Sequence, residues 1–208
     1  MTDRDLETRE RLLRTAERLF ADRGFRNITV RDISRAARAN VAAVNYHFGS
    51  KLGLYREVLE RAADGMNATT DAAKQAGAGC AADEQLRRFV QIFLRRVMSA
   101  DASASIHRLI NREISDPTPA LDALVDRGLK PRIEYLRGVV AELLGADPDD
   151  PRVLRCVASV QSQAITYLPN ALAARLMGRS KMTPEQIDET AAHIAEFSLA
   201  GIRAIARR

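Results

Sequence analysis

The sequence predicts an all-α protein with a small helical unit at its N-terminus and a larger helical bundle after it. Hydrophobic residues occupy 46% of the 208 positions, which is enough for a sizeable core. Aromatic residues make up only 5% and tryptophan is absent, a composition that favours helices over sheets. Apolar residues also recur at three- and four-residue steps, as they do along one face of a helix.

The first two predicted helices are delimited by local signals. The segment from Leu6 to Ala21 carries an apolar stripe, and Gly24 ends it. Thr29 is placed to cap a second, short helix from Val30 to Ala37, with Asp32 in its first turn. We therefore expect one longer helix followed by a short one.

A tight turn separates the second predicted helix from the third. Asn40 is a good N-cap for a helix from Val41 to His47, and Ser50 caps a fourth that starts at Lys51 and has an apolar face. Helices of about eight residues are unstable alone, so two in succession need a packing partner. This order predicts a three-helix unit of the helix-turn-helix type with a supporting fourth helix, the alternative being an ordinary helical hairpin.

The remaining sequence predicts a larger helical domain. Residues 64–82 are rich in Ala and Gly, so we expect the fourth helix to fray there, and we divide the chain into domains 1–62 and 63–208. Further helices are predicted at about 83–100 and 103–114. Another opens at Pro119 and should kink or break at Pro131.

The last two predicted helices have clear N-terminal signals. Asp150 followed by Pro151 starts a helix that reaches Tyr167, and Thr183 with Gln186 forms a capping box for a helix that runs nearly to the C-terminus. Both segments carry apolar residues at helical spacing, so at least part of each belongs to a core.

Positive charge is concentrated in the first part of the chain. Residues 1–62 contain 13 Arg or Lys against nine Asp or Glu, whereas residues 63–208 contain 19 against 18. This difference suggests a polyanionic partner for the first part, although ordinary solubilising surface explains it equally well.

The third helix combines small residues with hydrogen-bonding ones, as close approach to base edges and phosphates in a major groove requires. Val44 and Phe48 should face the core instead. Lys51 and Arg31 are candidates for phosphate contacts. The full set of predicted DNA-binding residues is Thr29, Arg31, Asn40, Val41, Ala42, Ala43, Asn45, Tyr46, His47 and Lys51.

The stretch TVRDISRAARANVAAVNYHFGSK, with LLRTAERLFADRGF before it and LGLYREVL after it, resembles the TetR family of regulators. Two positions depart from the family pattern: Arg38 replaces the usual turn Gly, and Asn45 stands where Tyr is frequent. A non-Gly residue at positive φ costs about 1 kcal/mol. Further on, REISDPTPALDAL and LLGADPDDPRVLRCVASVQSQAITYL are similar to the CecR (YbiH)-like branch of that family.

The resemblance implies a homodimeric repressor that binds a palindromic operator and is released by a small-molecule effector. The two third helices would enter successive major grooves about 34–36 Å apart, or a multiple of that repeat. The helices at about 151–167 and 184–206 would form the dimer interface.

Several C-terminal residues are candidates for the effector pocket. Those between Phe93 and Arg112 mix apolar and charged side chains on consecutive helices. Gln161, Gln163 and Tyr167 lie on a largely apolar segment and are candidates for polar groups inside either a cavity or the dimer interface. For Arg112, an ion pair with Glu113 is the competing interpretation. The predicted ligand-binding residues are Phe93, Met98, His107, Arg108, Arg112, Gln161, Gln163 and Tyr167.

Other classes of protein lack support in the sequence. The three histidines form no HExxH pattern, and no nucleophile set or Gly-rich cofactor loop is present, so we expect no enzyme activity, metal or cofactor. A helical-bundle enzyme and a DNA-binding scaffold without a ligand remain the alternatives. Without a signal peptide, a membrane span or a disulfide framework, a cytoplasmic protein is expected.

Overall fold

The computed structural model describes residues 3–98, 101–167, 175 and 182–207, with the backbone alone for 101–104, and it contains helices but no strand in these ranges. This confirms the all-α prediction. The helices are α1 (Asp3–Arg23), α2 (Val30–Ala36), α3 (Val41–Phe48), α4 (Lys51–Ala76), α5 (Ala82–Met98), α6 (Asp101–Ser115), α7 (Leu121–Leu124), a π-helical turn (Val125–Leu129), α8 (Lys130–Leu144), α9 (Pro151–Thr166) and α10 (Pro184–Ala206).

The chain forms two compact units. The first unit comprises Met1–Gly65 together with Ala104–Leu129, and the second comprises Met66–Ser103 together with Lys130–Arg208. Most of α6 and all of α7 therefore belong to the same unit as α1, α2 and α3. The division into functional domains after residue 62 remains a prediction.

The core of the first unit is built from the apolar stripes that the sequence predicts. Phe20 of α1 and Tyr55 of α4 meet edge to face with ring centroids 4.9 Å apart, and Phe25 lies 4.8 Å from Tyr55. The α2 and α3 helices each insert one fully buried branched residue, Ile33 and Val44. Burial of these apolar groups is what stabilises two helices that are too short to form alone.

The predicted helix starts are confirmed by their capping hydrogen bonds. Thr29 Oγ1 accepts from the Asp32 amide at 3.2 Å while Asp32 Oδ2 accepts from the Thr29 amide at 2.9 Å, a complete capping box. The hydroxyl and the amide of Thr29, which both donate to the Asp32 carboxylate, lower the pKa of Asp32. Asn40 Oδ1 accepts from the Ala42 amide at 2.9 Å, and Ser50 Oγ accepts from the Gly53 amide at 3.0 Å.

The turn between α2 and α3 retains its left-handed geometry although its residue is not glycine. Arg38 has a φ of +50°, and the Ala39 amide donates to the Ser34 carbonyl at 2.9 Å to close the turn. An L-residue is strained in this conformation, because its Cβ lies close to the following carbonyl.

Replacing Arg38 by Gly is therefore expected to raise the free energy of unfolding by about 0.5 kcal/mol, the relief of strain exceeding the extra entropy that Gly has when unfolded. Urea titration followed by circular dichroism measures this change. Arg35→Gly is the matched control, since Arg35 is helical and exposed, and it should lower stability. Equal effects of the two substitutions would contradict the strain at Arg38.

The middle of the chain is more helical than the sequence predicts. The expected fraying of the fourth helix at 64–82 is wrong, because α4 continues to Ala76: alanine has the highest helix propensity, and Ala73 is fully buried. The expected kink or break near Pro131 appears only as a local irregularity, because α7, the π-helical turn and α8 follow one another without a gap. A π-helical turn over Val125–Leu129 precedes α8, as expected where proline removes a backbone donor.

The second unit is a helical bundle in which α5, α8, α9 and α10 share one apolar core, and the predicted starts of α9 and α10 are confirmed. Asp150 caps α9, and Thr183 and Gln186 form the capping box of α10. Ion pairs join α5 to α10, with Arg87 Nε 2.8 Å from Glu196 and Arg95 Nε 2.6 Å from Asp188. Among the helices of the described ranges, none is both long and apolar enough to cross a membrane.

Candidate nucleic-acid interface

The α3 helix has one face in the core and one on the surface. Val44 and Phe48 are buried, as predicted, whereas the Tyr46 side chain is 75% exposed. Val41 and Asn45 are also exposed. This division leaves a row of residues of mixed chemistry available to a partner over the length of the helix.

The other predicted DNA-binding residues lie around this exposed face. Those in α3 and at its N-cap are exposed except for Ala43 and His47, which are half-buried, and Thr29 and Arg31 at the start of α2 are exposed. The His47 ring packs edge to face against that of Tyr46 with centroids 4.8 Å apart. We call the exposed residues of α3 with Thr29, Arg31 and Asn40 the α2–α3 surface.

Lys51 is engaged in contacts within the first unit. Its Nζ donates to the Ile28 carbonyl at 2.7 Å and lies 4.3 Å from the centroid of the Phe25 ring. Partial burial lowers the pKa of Lys51. The lysine thus fixes the connector between α1 and α2 at the start of α4, and its predicted contact with a DNA phosphate stays a prediction.

Lys51→Met is expected to lower the free energy of unfolding by about 1–3 kcal/mol, because the carbonyl of the buried Ile28 loses its charged donor. Thermal and urea denaturation measure this loss. Arg56→Met is the matched control, since it removes one positive charge from an exposed position of the same helix and should change stability by less than about 0.5 kcal/mol. Similar losses in both variants would show that the contact with Ile28 is not stabilising.

Arginines of α1 and α4 join these two helices to each other and join α1 to the α2–α3 pair. Arg11 Nε donates to the carbonyl of Ala37 at 2.7 Å, directly before the turn. Arg61 donates to Glu10 at 3.0 Å, which lowers the pKa of Glu10 and raises that of Arg61. Arg9 pairs with Glu57 and lies 5.2 Å from the Phe48 ring. The sequence did not predict these roles, because arginines on a charged helix face usually point into solvent.

The α6 helix is hydrogen-bonded to α4 by a buried pair. The Tyr55 hydroxyl donates to Glu113 Oε2 at 2.7 Å, and both side chains are almost completely buried. Glu113 Oε1 also accepts from the amide and the hydroxyl of Thr118, each at 2.9 Å. Burial and this carboxylate raise the pKa of Tyr55, so its hydroxyl remains a donor.

The α6 helix also contacts the C-terminal end of α1. Arg112 donates to the carbonyls of Ala21 and Asp22 at 2.9 and 2.8 Å, and Arg108 lies 3.2 Å from the Asp22 carboxylate. The alternative interpretation of Arg112 and Glu113 as an ion pair is wrong, because each side chain has different partners. Arginine at the C-terminus of a helix is favourable, since it satisfies carbonyls that have no partner within the helix.

A cavity of about 130 Å³ lies beside these contacts, within the first unit. Arg112, one of the predicted ligand-binding residues, lines this cavity. The cavity is lined by Arg23, Gly24, Phe25, Arg26, Asn27, Tyr55, Arg112, Ser115 and Asp116. In the described ranges, no group of three or more His, Cys, Asp or Glu side chains is arranged to hold a metal ion.

Comparison with known families decides the identity. Residues 12–58 match the family of bacterial regulatory proteins called tetR, and residues 82–202 match the family described as HTH-type transcriptional dual regulator CecR, C-terminal domain. The chain belongs to the CecR branch of the TetR family. It is a DNA-binding transcriptional regulator with a helix-turn-helix unit formed by α2 and α3.

Individual relatives agree with this assignment. The HTH-type transcriptional dual regulator CecR of Shigella flexneri is 26% identical over 162 residues, covering 74% of this chain and 72% of that protein. A TetR-family regulator of Streptomyces coelicolor has the same fold, with a TM-score of 0.68 at 22% identity over 95% of this chain and 96% of that chain. The TetR-family regulator PfmR of Thermus thermophilus also gives 0.68, at 21% identity over 96% of both chains.

In this TetR-family regulator, the predicted ligand-binding residues are divided between the two units. His107, Arg108 and Arg112 belong to the first unit, and the others belong to the second. There, Phe93 is buried, while Met98 and Tyr167 pack partly buried against the core. Gln161 is half-buried, and Gln163 Nε2 donates to Ser198 Oγ at 3.1 Å. Whether these residues bind an effector remains a prediction.

Proposed function

We propose that this TetR-family regulator is a repressor that binds a palindromic operator as a homodimer and is released by a small-molecule effector in the cytoplasm. The observation that carries the proposal is the exposed face of α3. Tyr46 and Asn45 project from a helix whose opposite side is fixed in the core by Val44 and Phe48. Such a helix can enter a major groove without rearrangement of the unit.

Exposed apolar residues on the last two helices support the homodimer. Phe197 of α10 is 65% exposed, and Leu154 and Ile165 of α9 are exposed as well. Large apolar side chains at a surface are typical of an interaction site when they lie close together. A twofold interface made by α9 and α10 would match the symmetry of a palindromic operator.

Phe197→Glu is expected to convert the dimer to monomers of 23.0 kDa, because a charge would be placed in the proposed apolar interface. Sedimentation equilibrium measures the mass. Leu6→Glu is the control, since Leu6 is an exposed apolar residue of α1 and its substitution should leave the dimer intact. A variant at position 197 that stays dimeric would rule out this part of α10 as the interface.

The position of α6 supports release by an effector. This helix carries three of the predicted ligand-binding residues, and it is hydrogen-bonded to α1 and α4 within the first unit. An effector that displaced α6 would therefore disturb the helices that support α3. A coupling of about 1–3 kcal/mol would change operator affinity about five- to 150-fold.

The Shigella flexneri relative is called a dual regulator, which favours activation at some promoters as a second function. Transcription assays on the operator-bearing promoter distinguish repression from activation. Without effector, a repressor lowers transcription from that promoter and an activator raises it.

Selection of genomic fragments by the purified protein, followed by hydroxyl-radical footprinting, tests the proposal. We expect an inverted repeat with two protected half-sites whose centres are separated by about one helical turn, or a multiple of it. Protection of a single half-site would contradict the homodimer. No preference for any fragment over heparin would contradict operator binding itself.

A further inference from the structure

A buried arginine without a counter-charge lies in the second unit. Arg132 of α8 is only 8% exposed, and in the described part of the chain it has neither a hydrogen bond nor an ion pair, with Nε completely buried and unpartnered. Burial lowers the pKa of Arg132 to about 10, so the guanidinium stays positively charged at neutral pH. An uncompensated buried charge is strongly unfavourable and is normally neutralised by an anion.

A second unsatisfied donor follows on the same face of the helix. The hydroxyl of Tyr135 is buried and has no hydrogen-bond partner. Residues three apart in a helix are neighbours on its surface, so the hydroxyl-bearing ring and the guanidinium lie along one side of α8. Two buried polar groups that both donate leave the site in need of an acceptor.

Each of the two side chains contacts one member of a stacked pair of phenylalanines. The guanidinium carbon of Arg132 lies 5.3 Å from the centroid of Phe93, and the ring of Tyr135 lies 6.0 Å from that of Phe89. The two phenylalanines of α5 are stacked, with centroids 5.9 Å apart and planes inclined by 14°. The donors are thus joined by an apolar, aromatic surface. The cation–π contact with Phe93 attracts the charge of Arg132 but accepts none of its N–H groups in a conventional hydrogen bond.

We propose that Arg132 and Tyr135 bind the carboxylate of an organic acid whose apolar body packs against Phe89 and Phe93. The planar guanidinium matches a carboxylate with two parallel hydrogen bonds, and the tyrosine hydroxyl supplies another. A neutral ligand of the same shape would leave the arginine uncompensated, so the site discriminates by charge. The inference deepens the proposed function, on which it rests for the role of this acid as the effector.

Thermal unfolding of the full chain tests the site with four defined probes. Benzoate and cyclohexanecarboxylate carry a carboxylate on a flat or a puckered apolar body, and benzamide and cyclohexanecarboxamide are their neutral counterparts. At matched ionic strength, we expect at least one acid to raise the Tm of the wild-type protein by about 3 °C at about ten times its Kd. The amides and sodium chloride should give no such rise.

Arg132→Met separates binding from a structural role. Since the buried charge has no partner, this variant should unfold at the same or a higher Tm than the wild-type protein in buffer, and it should lose the response to the acids. Tyr135→Phe should keep its Tm in buffer and weaken the acid response several-fold. Arg137→Met is the control, because Arg137 lies on the same helix and pairs with Asp149 and the Pro148 carbonyl; it should respond to the acids as the wild-type protein does.

Any of three results would overturn the site. The first is that the acids and the amides raise the Tm equally, or that none of them raises it. The others are an unchanged response of Arg132→Met to the acids, and a larger loss of Tm in buffer for Arg132→Met than for Arg137→Met. DNA affinity measured in parallel tests the proposed function separately. An acid that stabilises the protein without weakening DNA binding would confirm the site and contradict release by this ligand. Absence of operator binding would contradict the proposed function, while the thermal data would still show whether Arg132 and Tyr135 bind an acid.

Discussion

Tyr46→Ala is expected to weaken binding to the selected operator by about five- to 150-fold, with no change in the Tm of the protein. The side chain is three-quarters exposed and packs against the neighbouring His47 ring, so its loss removes little from the core. A well-placed contact in a DNA groove contributes about 1–3 kcal/mol, which corresponds to this change in affinity.

Fluorescence anisotropy with a labelled operator at fixed salt concentration measures the effect. Ile114→Ala is the matched control, because Ile114 is an exposed apolar residue of the first unit that lies on α6, outside the α2–α3 surface; its affinity should stay within about twofold of the wild-type value. If Tyr46→Ala binds as tightly as this control, Tyr46 does not contact DNA.

Tyr55→Phe is expected to lower the free energy of unfolding by about 1–3 kcal/mol, which reduces the Tm by several degrees. The substitution leaves Glu113, which is nearly inaccessible to water, without the hydroxyl that donates to Oε2. Because the pKa of Tyr55 is higher in the folded than in the unfolded protein, the stabilisation is present at neutral pH and is lost only when the pH rises above about 10.

Differential scanning calorimetry measures the loss, and Tyr46→Phe is its control, since it removes the same hydroxyl from an exposed ring and should leave the Tm unchanged. If the hydrogen bond between α4 and α6 transmits the effector signal, Tyr55→Phe should also reduce the change in operator affinity that the effector causes. A normal Tm for Tyr55→Phe would show that this pair does not hold α6 in place.

The helix-turn-helix unit could be predicted almost completely from the sequence, because its signals are local. Thr29, Asn40 and Ser50 cap helices through bonds to amides two or three residues away, and the composition of those segments is sufficient to predict them. The left-handed turn lies at the expected position, although Arg38 stands there in place of the usual glycine. Tertiary packing there overcomes the preference of a single residue.

Features that depend on contacts between distant segments were not predictable in the same way. The pairs Tyr55–Glu113 and Arg112–Ala21 join residues 58 and 91 positions apart, so no local pattern indicates them. Arg132 did leave a signal. It stands four residues before Leu136 and seven before Val139, in line with the buried face of α8, and a charged residue in such an apolar stripe indicates a buried polar site.

Photocrosslinking shows whether the exposed face of α3 lies in a DNA groove. With p-benzoylphenylalanine in place of Tyr46, irradiation of the protein on its selected operator should give a covalent adduct to bases inside each half-site. The same photoreactive residue in place of Ile114 should give none. Adducts from position 114 but not from position 46 would show that another surface of the first unit faces the DNA.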